Sequence, residues 1–270
     1  MKKIHIQAHT PWLHLDFAEL YHFRWVLLML TLRDIKLRYK QTFLGVAWVI
    51  LQPLLTALLF TAVFGKALHL PSEGTPYMLF AFCGLVPWLV FSQSLQRASP
   101  CLINDTRLIT KVYFPRIFLP LSATFGVIID FIIGLAMVTF LMMFNGYSFS
   151  SKIIFLPLLA LHLFIFACGI NLFFSSLSVY YRDFKHIVPF LIQLWMYASP
   201  LVYSSGVIPH QFQFFYNLNP MVGIIEGFRF CLLGTPFPGS FQISILTSVL
   251  LLISGTFIFR KIEHNFADVI

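Results

Sequence analysis

Polar side chains recur on one face of a long apolar segment near the start of this sequence. Gln41, Gly45, Trp48, Gln52 and Thr56 are separated by three or four positions, so on an α-helix they fall within about 80° of arc. Amide, hydroxyl and indole groups collected on one face are unfavourable against lipid, which offers no hydrogen bonds. The stripe therefore faces either a neighbouring helix or a polar space.

A second apolar segment carries a similar stripe, formed by His186, Gln193, Tyr197 and Ser204, with Pro200 on the same face. Hydrogen bonding between packed helices explains such stripes in many membrane bundles. The alternative is a conduit, and the groups present suit sugars, whose hydroxyls form hydrogen bonds and whose C–H faces stack on aromatic rings. They suit a metal ion or a charged drug poorly. For the conduit, we predict a path lined by Gln41, Trp48, Gln52, Thr56, Gln193, Tyr197 and Ser204.

The composition indicates what kind of protein carries these stripes. Of 270 residues, 59% are hydrophobic and 10% are charged, and the mean hydropathy is +0.83, whereas roughly a quarter of a soluble protein is charged. So few charges exclude a cytosolic globular enzyme, a disordered chain and a nucleic-acid-binding domain. The net charge of +8 is instead assigned to membrane orientation and anionic lipid. We predict an all-α integral membrane protein, with one transmembrane domain over residues 1–270.

Stretches nearly free of Asp, Glu, Lys and Arg mark the predicted spans, because a spanning helix needs about 20 mostly apolar residues. We predict six spans, at residues 43–65, 76–97, 117–144, 153–180, 186–204 and 241–260. Fifteen of the 18 Lys and Arg residues then fall on one side, which the positive-inside rule makes cytoplasmic. Both termini are expected on that side, and residues 1–15 lack the apolar core of a cleavable signal peptide.

Residues 16–40 predict an amphipathic helix that lies on the membrane surface. Asp16 and Glu19 have the spacing of a capping box. Arg33, Lys36 and Lys40 share a basic face that suits lipid headgroups. Packing of this helix on other spans is the alternative.

The cytoplasmic connection at residues 104–116 is short, basic and amphipathic. We expect Val112, Tyr113 and Phe114 to be exposed in it. Exposed apolar groups of this kind need a cover, which is either the bilayer surface or a partner protein.

The external segment at residues 206–236 contains Gly and Pro throughout an apolar sequence. It is too hydrophobic for a solvated loop and too broken for a span, so we predict a pair of short re-entrant or interfacial helices. Glu226 and Arg229 have the spacing of an ion pair on one helix face. If that pair is on the surface, it contributes little to stability.

Asp130 is the one acid within a predicted span, so its side chain should face the bundle or water. Gly126 and Gly134 lie four positions either side of it on the same face. Small residues there allow close helix approach, which favours a packing role. A proton relay would need further acids at depth, and the sequence has none.

The sequence also lacks the motifs of an enzyme or an energy-coupling domain. It contains no GxxxxGK[ST] phosphate loop, no HExxH, no GxSxG and no paired-aspartate motif for a prenyl diphosphate and magnesium. Its four cysteines lie far apart, which indicates neither a disulfide framework nor a metal site. If transport requires energy, another polypeptide must supply it.

Several short motifs occur together in a recognisable order. They are LRDIKLRYKQTFLG at 32–45 followed by Trp48, LQPL at 51–54, KVYFPR at 111–116, LPLS at 119–122, YRDF at 181–184, SPLVY at 199–203, NPM at 219–221 and Glu226-Gly227-Phe228-Arg229. With these motifs the chain resembles the membrane subunit of type 2 ABC exporters that move cell-surface polysaccharides, namely the O-antigen, capsule and teichoic acid permeases.

The resemblance implies a homodimer bound to two copies of a separate cytoplasmic ATPase, in a bacterial plasma membrane. That ATPase would use ATP and magnesium, and this chain would bind no cofactor. The family's coupling helix would correspond to Lys111, Val112, Tyr113, Phe114, Pro115 and Arg116. The external gate would include Asn219, Pro220, Glu226 and Arg229.

The resemblance also implies a substrate, a glycan on a polyprenyl diphosphate or another lipid anchor. The first and fifth spans would line its channel at the dimer interface. Arg33, Lys36 and Lys40 would attract the anionic diphosphate at the cytoplasmic surface. Membrane lipids complete the list of expected partners, and no nucleic acid is expected.

Two alternatives stay open at this point. The first is a related type 2 permease for another lipid, a drug or a peptide. The motifs at 33–53 and 219–229 argue against this alternative. The second is a membrane enzyme of glycan assembly. That enzyme would need a catalytic cluster at a membrane face, and His162 and Asp130 are isolated in the sequence.

Overall fold

A computed structural model of the chain describes residues 17–40, 46–147, 150–181, 183–263 and 266. Within these ranges the protein is helical and contains no β-strand. The α-helices are α1 (Phe17–His22), α2 (Arg24–Tyr39), α3 (Val46–Phe60), α4 (Tyr77–Ala98), α5 (Cys101–Asn104), α6 (Thr106–Lys111), α7 (Phe118–Phe125), α8 (Ile128–Phe144), α9 (Leu156–Tyr180), α10 (Phe184–Tyr197), α11 (His210–Asn217), α12 (Pro220–Leu233) and α13 (Phe241–Glu263).

Five helical stretches are long and apolar enough to cross a membrane. They are Ala47–Ala67, Tyr77–Ala98, Phe118–Phe144, Ser151–Tyr180 and Phe241–Glu263, and they agree with five of the six predicted spans to within a few residues. The second is the centre of the bundle, because 83% of its most apolar window is buried, against 17% for the first and the last. The first and last stretches therefore keep most of their apolar surface for lipid or for another chain.

The predicted span at 186–204 is wrong as a single helix. α10 ends at Tyr197 after 14 residues, which is about 21 Å of helix against about 30 Å of hydrocarbon. The chain then turns at Ala198–Pro200, where Pro200 both lacks an N–H and disfavours helix for the residue before it. The predicted stripe on this segment is therefore divided between a helix and a turn.

The N-terminal segment forms two helices, α1 and α2, instead of the predicted single helix over 16–40. Asp16 lies outside the described residues, so its capping role stays a prediction. α2 packs against α7, with Leu30 buried beside Phe118, while Trp25 and Lys36 are exposed. One side of α2 thus packs on the bundle and the other is exposed.

The external segment contains two short helices, as predicted. α11 is exposed and carries Phe212, Phe214 and Phe215 on its surface, whereas α12 is buried along most of its length. α12 ends at Leu233 and is capped by Gly234, whose φ of 75° lies in the left-handed region that suits glycine. Because α12 packs against α4, α9 and α13, it belongs to the bundle and not to a solvated loop.

α9 and α13 pack together through two glycines. A Cβ on Gly169 would lie 2.6 Å from the Leu252 backbone nitrogen, and a Cβ on Gly255 would collide with the Gly169 carbonyl oxygen. Small residues at such crossings let two backbones approach closely in a membrane. This contact positions the last predicted span against the core.

Gly169→Ala is therefore expected to destabilise the protein, because the added methyl group meets backbone and not a flexible side chain. Overpacking of this kind costs about 1–3 kcal/mol. The measurement is the midpoint of thermal unfolding in detergent. Gly239→Ala is the matched control, since its Cβ would meet nothing within 4 Å, and equal midpoints for the two variants would contradict the close crossing.

Candidate transport site

The predicted stripe on α3 faces away from the bundle. Trp48 is 51% exposed and Gln52 is exposed, while Thr56 is partly exposed and donates a hydrogen bond to the Gln52 carbonyl at 2.9 Å. Pro53 and Ala57 are buried on the opposite face. Gln41 lies outside the described residues, so its place on the stripe stays a prediction.

α10 presents a second polar face, which includes Gln193 and Tyr197. Both side chains are exposed, whereas Val188 and Ile192 on the other face are buried. The Trp195 indole Nε1 donates to the Asn219 side-chain oxygen at 2.8 Å. This bond positions α10 against the start of α12.

Ser204 does not share the exposed face of α10, contrary to the prediction for it. Its side chain is buried, and its hydroxyl donates a hydrogen bond to the Glu73 carboxylate. Because Ser204 lies beyond the turn that ends α10, the helical spacing from Tyr197 does not apply to it. The contact instead joins the loop before α4 to the segment after α10.

The two exposed stripes flank one helix, since α3 and α10 both pack against α4. They are open in a single chain, and the side chains of Trp48, Gln52, Gln193 and Tyr197 form no hydrogen bond with the rest of the described protein, while Thr56 bonds only its own helix. Polar groups at membrane depth require partners. The arrangement thus leaves amide, hydroxyl and aromatic groups available to a ligand, to water or to a second copy.

The predicted coupling segment, residues 111–116, is exposed at two of the three apolar positions Val112, Tyr113 and Phe114. Val112 and Tyr113 are 53% and 66% exposed, and Lys111 is also exposed. Phe114 is buried, so the expectation that it is exposed was wrong. α6 ends at Lys111 and the backbone leaves the helical conformation at Val112, so the chain can turn the Phe114 ring into the buried cluster that contains Leu30 and Phe118.

Helices from both ends of the chain hold the coupling segment in place. The Tyr113 hydroxyl donates to the Glu19 carboxylate at 2.9 Å, which is the main reason that the pKa of Tyr113 is raised. Arg116 donates to the Glu263 carbonyl at 2.9 Å, and Pro115 is buried. The segment is therefore a supported surface and not a loose loop.

Arg33 is already neutralised by two carboxylates. It binds Asp34 at 2.9 Å and Asp105 at 2.7 Å, which ties α2 to the start of α6. Burial alone would lower the pKa of Arg33, but the hydrogen bonds to Asp105 and Asp34 outweigh burial and raise it. Lys36 and Lys40, by contrast, are exposed.

Asp130 faces the protein, as predicted, and has two partners from α2. Arg38 forms an ion pair with its carboxylate, and the Tyr39 hydroxyl donates to it. Close packing occurs nearby, because a Cβ on Gly134 would lie 3.2 Å from a Val86 methyl carbon. Sequence reasoning missed Arg38 and Tyr39, since nothing local connects residues about 90 positions apart.

Asn219 and Pro220 begin α12 in a way that links it to the end of α10. The Asn219 side chain accepts from the Met221 N–H at 3.0 Å and donates to the Ala198 carbonyl at 3.1 Å. Pro220 is at the first helical position, where its missing N–H costs nothing. This capping arrangement holds the external helix against the turn that ends α10.

The predicted ion pair between Glu226 and Arg229 was wrong. Arg229 is fully buried, donates to the Leu201 carbonyl at 3.0 Å and to the Phe80 carbonyl at 3.3 Å, and no described carboxylate forms an ion pair with it. Glu226 accepts from the Ser240 hydroxyl at 3.0 Å instead. Each charge thus joins α12 to a different neighbour.

The sequence profile of the family described as ABC-2 type transporter matches residues 26–233 of this chain. That range begins in α2 and ends at the last residue of α12. The chain belongs to the ABC-2 type transporter family. It is therefore a membrane subunit of a transporter and not an enzyme, and its span-capable helices make it a multi-pass membrane protein.

Curated relatives resemble this ABC-2 chain over most of its length. An O-antigen export system permease protein RfbA from Klebsiella pneumoniae is 30% identical over 91% of this chain and 95% of its own length. The protein of the same name from Myxococcus xanthus is 29% identical over 93% and 97%. A polysialic acid transport protein KpsM from Escherichia coli is 24% identical over 73% and 77%.

Proposed function

We propose that this chain is the permease subunit of an ATP-driven exporter that moves a lipid-linked polysaccharide, of the O-antigen, capsule or teichoic acid type, across the bacterial plasma membrane. The observation that carries the proposal is similarity, over nearly the whole chain, to permeases named for O-antigen export. The exposed amide, hydroxyl and aromatic groups of α3 and α10 are of the kind that binds sugars.

Two copies of the chain enclose the channel in this proposal. The α3 and α10 faces that carry Trp48, Gln52, Gln193 and Tyr197 are open in one chain, and a second copy would cover their rims. α10 and the turn after it complete a sixth crossing. An even number of crossings then places both termini in the cytoplasm, on the side with most of the Lys and Arg.

The energy comes from two copies of a separate ATPase, which binds the ATP and magnesium. We assign the docking surface to the coupling segment from Lys111 to Arg116, because Val112 and Tyr113 are exposed on a supported surface. Phe114 and Pro115 are buried below this surface and stabilise its shape. This chain itself binds no cofactor.

The external gate is assigned to α11 and α12, held at their junction by Asn219 and Pro220 and farther along by Glu226 and Arg229. At the opposite surface, Lys36 and Lys40 attract the anionic lipid diphosphate, because both are exposed. Arg33 adds less attraction, since two carboxylates already surround it.

Controlled depletion of the protein in its native cell tests this function. A lipid extract and a surface-glycan assay are compared before and after depletion. We expect surface polysaccharide to fall while a lipid-linked glycan accumulates on the cytoplasmic side. If the lipid-linked glycan never forms, the protein acts in synthesis; if neither pool changes, the cargo is another lipid, a drug or a peptide.

A further inference from the structure

A charged cleft of about 400 Å³ lies where α2 meets the end of α4 and the connection through α5 to α6. Its charged lining residues are Arg33, Asp34, Arg38, Arg97 and Asp105. Leu37, Leu119 and Ala123 form an apolar part of its wall. Because α2 is predicted to lie on the membrane surface and keeps one side exposed, we expect the cleft at the level of lipid headgroups.

Two of the three arginines in this cleft, Arg33 and Arg38, form ion pairs with described residues, and the third, Arg97, does not. Arg33 binds both Asp34 and Asp105, so one positive charge faces two negative ones. Arg38 is balanced by Asp130 beneath the cleft. Within the part of the chain that the structure describes, Arg97 makes no ion pair and no hydrogen bond, although Asp34 attracts it at longer range.

The cleft therefore holds a positive group unpaired among the described residues, Arg97, and a partly exposed acidic group, Asp105, and its formal charge is near zero once Asp130 is counted. Arg97 can offer guanidinium donors to a phosphate. Asp105 keeps 27% of its side chain exposed beside Arg33, and a carboxylate has about four lone-pair sites, so it can accept a further donor. A ligand that matches both groups carries a phosphate and an ammonium group a few bonds apart, next to an apolar body.

We propose that this cleft binds the headgroup of a zwitterionic aminophospholipid of the phosphatidylethanolamine type, with its phosphate on Arg97 and its ammonium on Asp105. The apolar wall at Leu37 and Leu119 receives the start of the acyl chains. A phosphatidylglycerol headgroup lacks the ammonium, and a choline headgroup lacks the N–H donors. The proposal does not depend on the exported cargo.

The formal charge of the cleft also indicates that it does not bind the diphosphate of the lipid-linked substrate. A polyprenyl diphosphate carries at least two negative charges, which a cleft of formal charge near zero and with a partly exposed acidic group does not favour. The substrate is instead attracted at Lys36 and Lys40, which do not line the cleft.

Native mass spectrometry of the full-length protein in detergent tests the site. Phosphatidylethanolamine, phosphatidylglycerol and phosphatidylcholine with the same acyl chains are each added, and the bound fraction is measured. We expect phosphatidylethanolamine to bind most strongly to the natural protein. Arg97→Gln should weaken that binding about tenfold, which corresponds to one charge-assisted hydrogen bond.

Arg107→Gln is the matched control, because Arg107 is exposed on α6 and does not line the cleft. Equal losses in the two variants would overturn the proposal. So would equal binding of phosphatidylethanolamine and phosphatidylcholine to the natural protein, a comparison that requires no variant. Displacement of bound phosphatidylethanolamine by stoichiometric polyprenyl diphosphate would reassign the cleft to the substrate and would also overturn it.

Discussion

Replacement of both Val112 and Tyr113 by aspartate is expected to separate this permease from its ATPase and to reduce export about a thousandfold. The two side chains are the exposed apolar part of the coupling segment. Interface anchors of this type contribute about 2 kcal/mol or more each, and two buried charges would add an unfavourable desolvation term. The measurements are co-purification of the ATPase and surface glycan.

Tyr181→Asp is a suitable control for this variant. Tyr181 is 62% exposed and belongs to the cytoplasmic connection between α9 and α10, outside the coupling segment. We expect it to retain the ATPase. Retention of the ATPase by the double variant as well would refute the assignment of the docking surface.

Phe114→Asp is expected to abolish export because the permease itself folds poorly, and not because the docking surface for the ATPase is changed. Phe114 packs in a buried cluster with Leu30, Ile117 and Phe118, so a carboxylate there would be charged without a partner or would protonate at a cost of several kcal/mol. The amount of folded protein should fall in detergent, with or without the ATPase. A folded Phe114→Asp protein that only loses its ATPase would show that the buried position is wrong.

The parts of the fold that sequence reasoning predicted correctly depend on local composition. A span is an uninterrupted apolar run, so five of the six predicted spans coincide closely with helices that are long and apolar enough to cross a membrane. The stripe of Trp48, Gln52 and Thr56 follows from helical periodicity alone. It is exposed because the residues on the other face, Pro53 and Ala57, are the ones that pack.

The parts that were wrong depend on where an element ends. Ser204 was placed on the face of Tyr197 by extending a helix through Pro200, and the turn there removes the periodicity. Phe114 was expected to be exposed because it belongs to a short, basic connection in which Val112, Tyr113 and Phe114 were treated alike. The chain instead turns the Phe114 ring into a cluster formed with α2 and α7, and a contact between such distant segments has no local signal in the sequence.

The pairs of residues that join distant segments had no signal in one sequence. Arg38 meets Asp130, and Arg33 meets Asp105, only because α2 packs across the bundle. The Glu226–Arg229 spacing gave a false signal, since burial of α12 surrounds each charge with nearer partners. Tertiary packing, and not spacing, decides how buried charges are compensated.

Replacement of both Gln52 and Gln193 by leucine is expected to reduce export about thirtyfold while leaving folding and assembly unchanged. Both side chains are exposed in the single chain, so no hydrogen bond within the described protein is lost. If each amide contributes about 1 kcal/mol to a bound sugar, the two together correspond to that factor. The measurement is the rate at which surface glycan reappears after expression of the variant.

The matched control is the double replacement of Gln96 and Gln242 by leucine, because both are exposed glutamines on helices outside the predicted path. This control changes hydrophobicity by the same amount. If export slows only in the Gln52→Leu, Gln193→Leu variant, the effect is due to the path and not to hydrophobicity.

Helix–helix hydrogen bonding, the other explanation of the stripes, predicts a different result. In that case Gln52→Leu with Gln193→Leu would lower the thermal midpoint or dissociate the dimer. Normal export by a stable protein would refute the path itself.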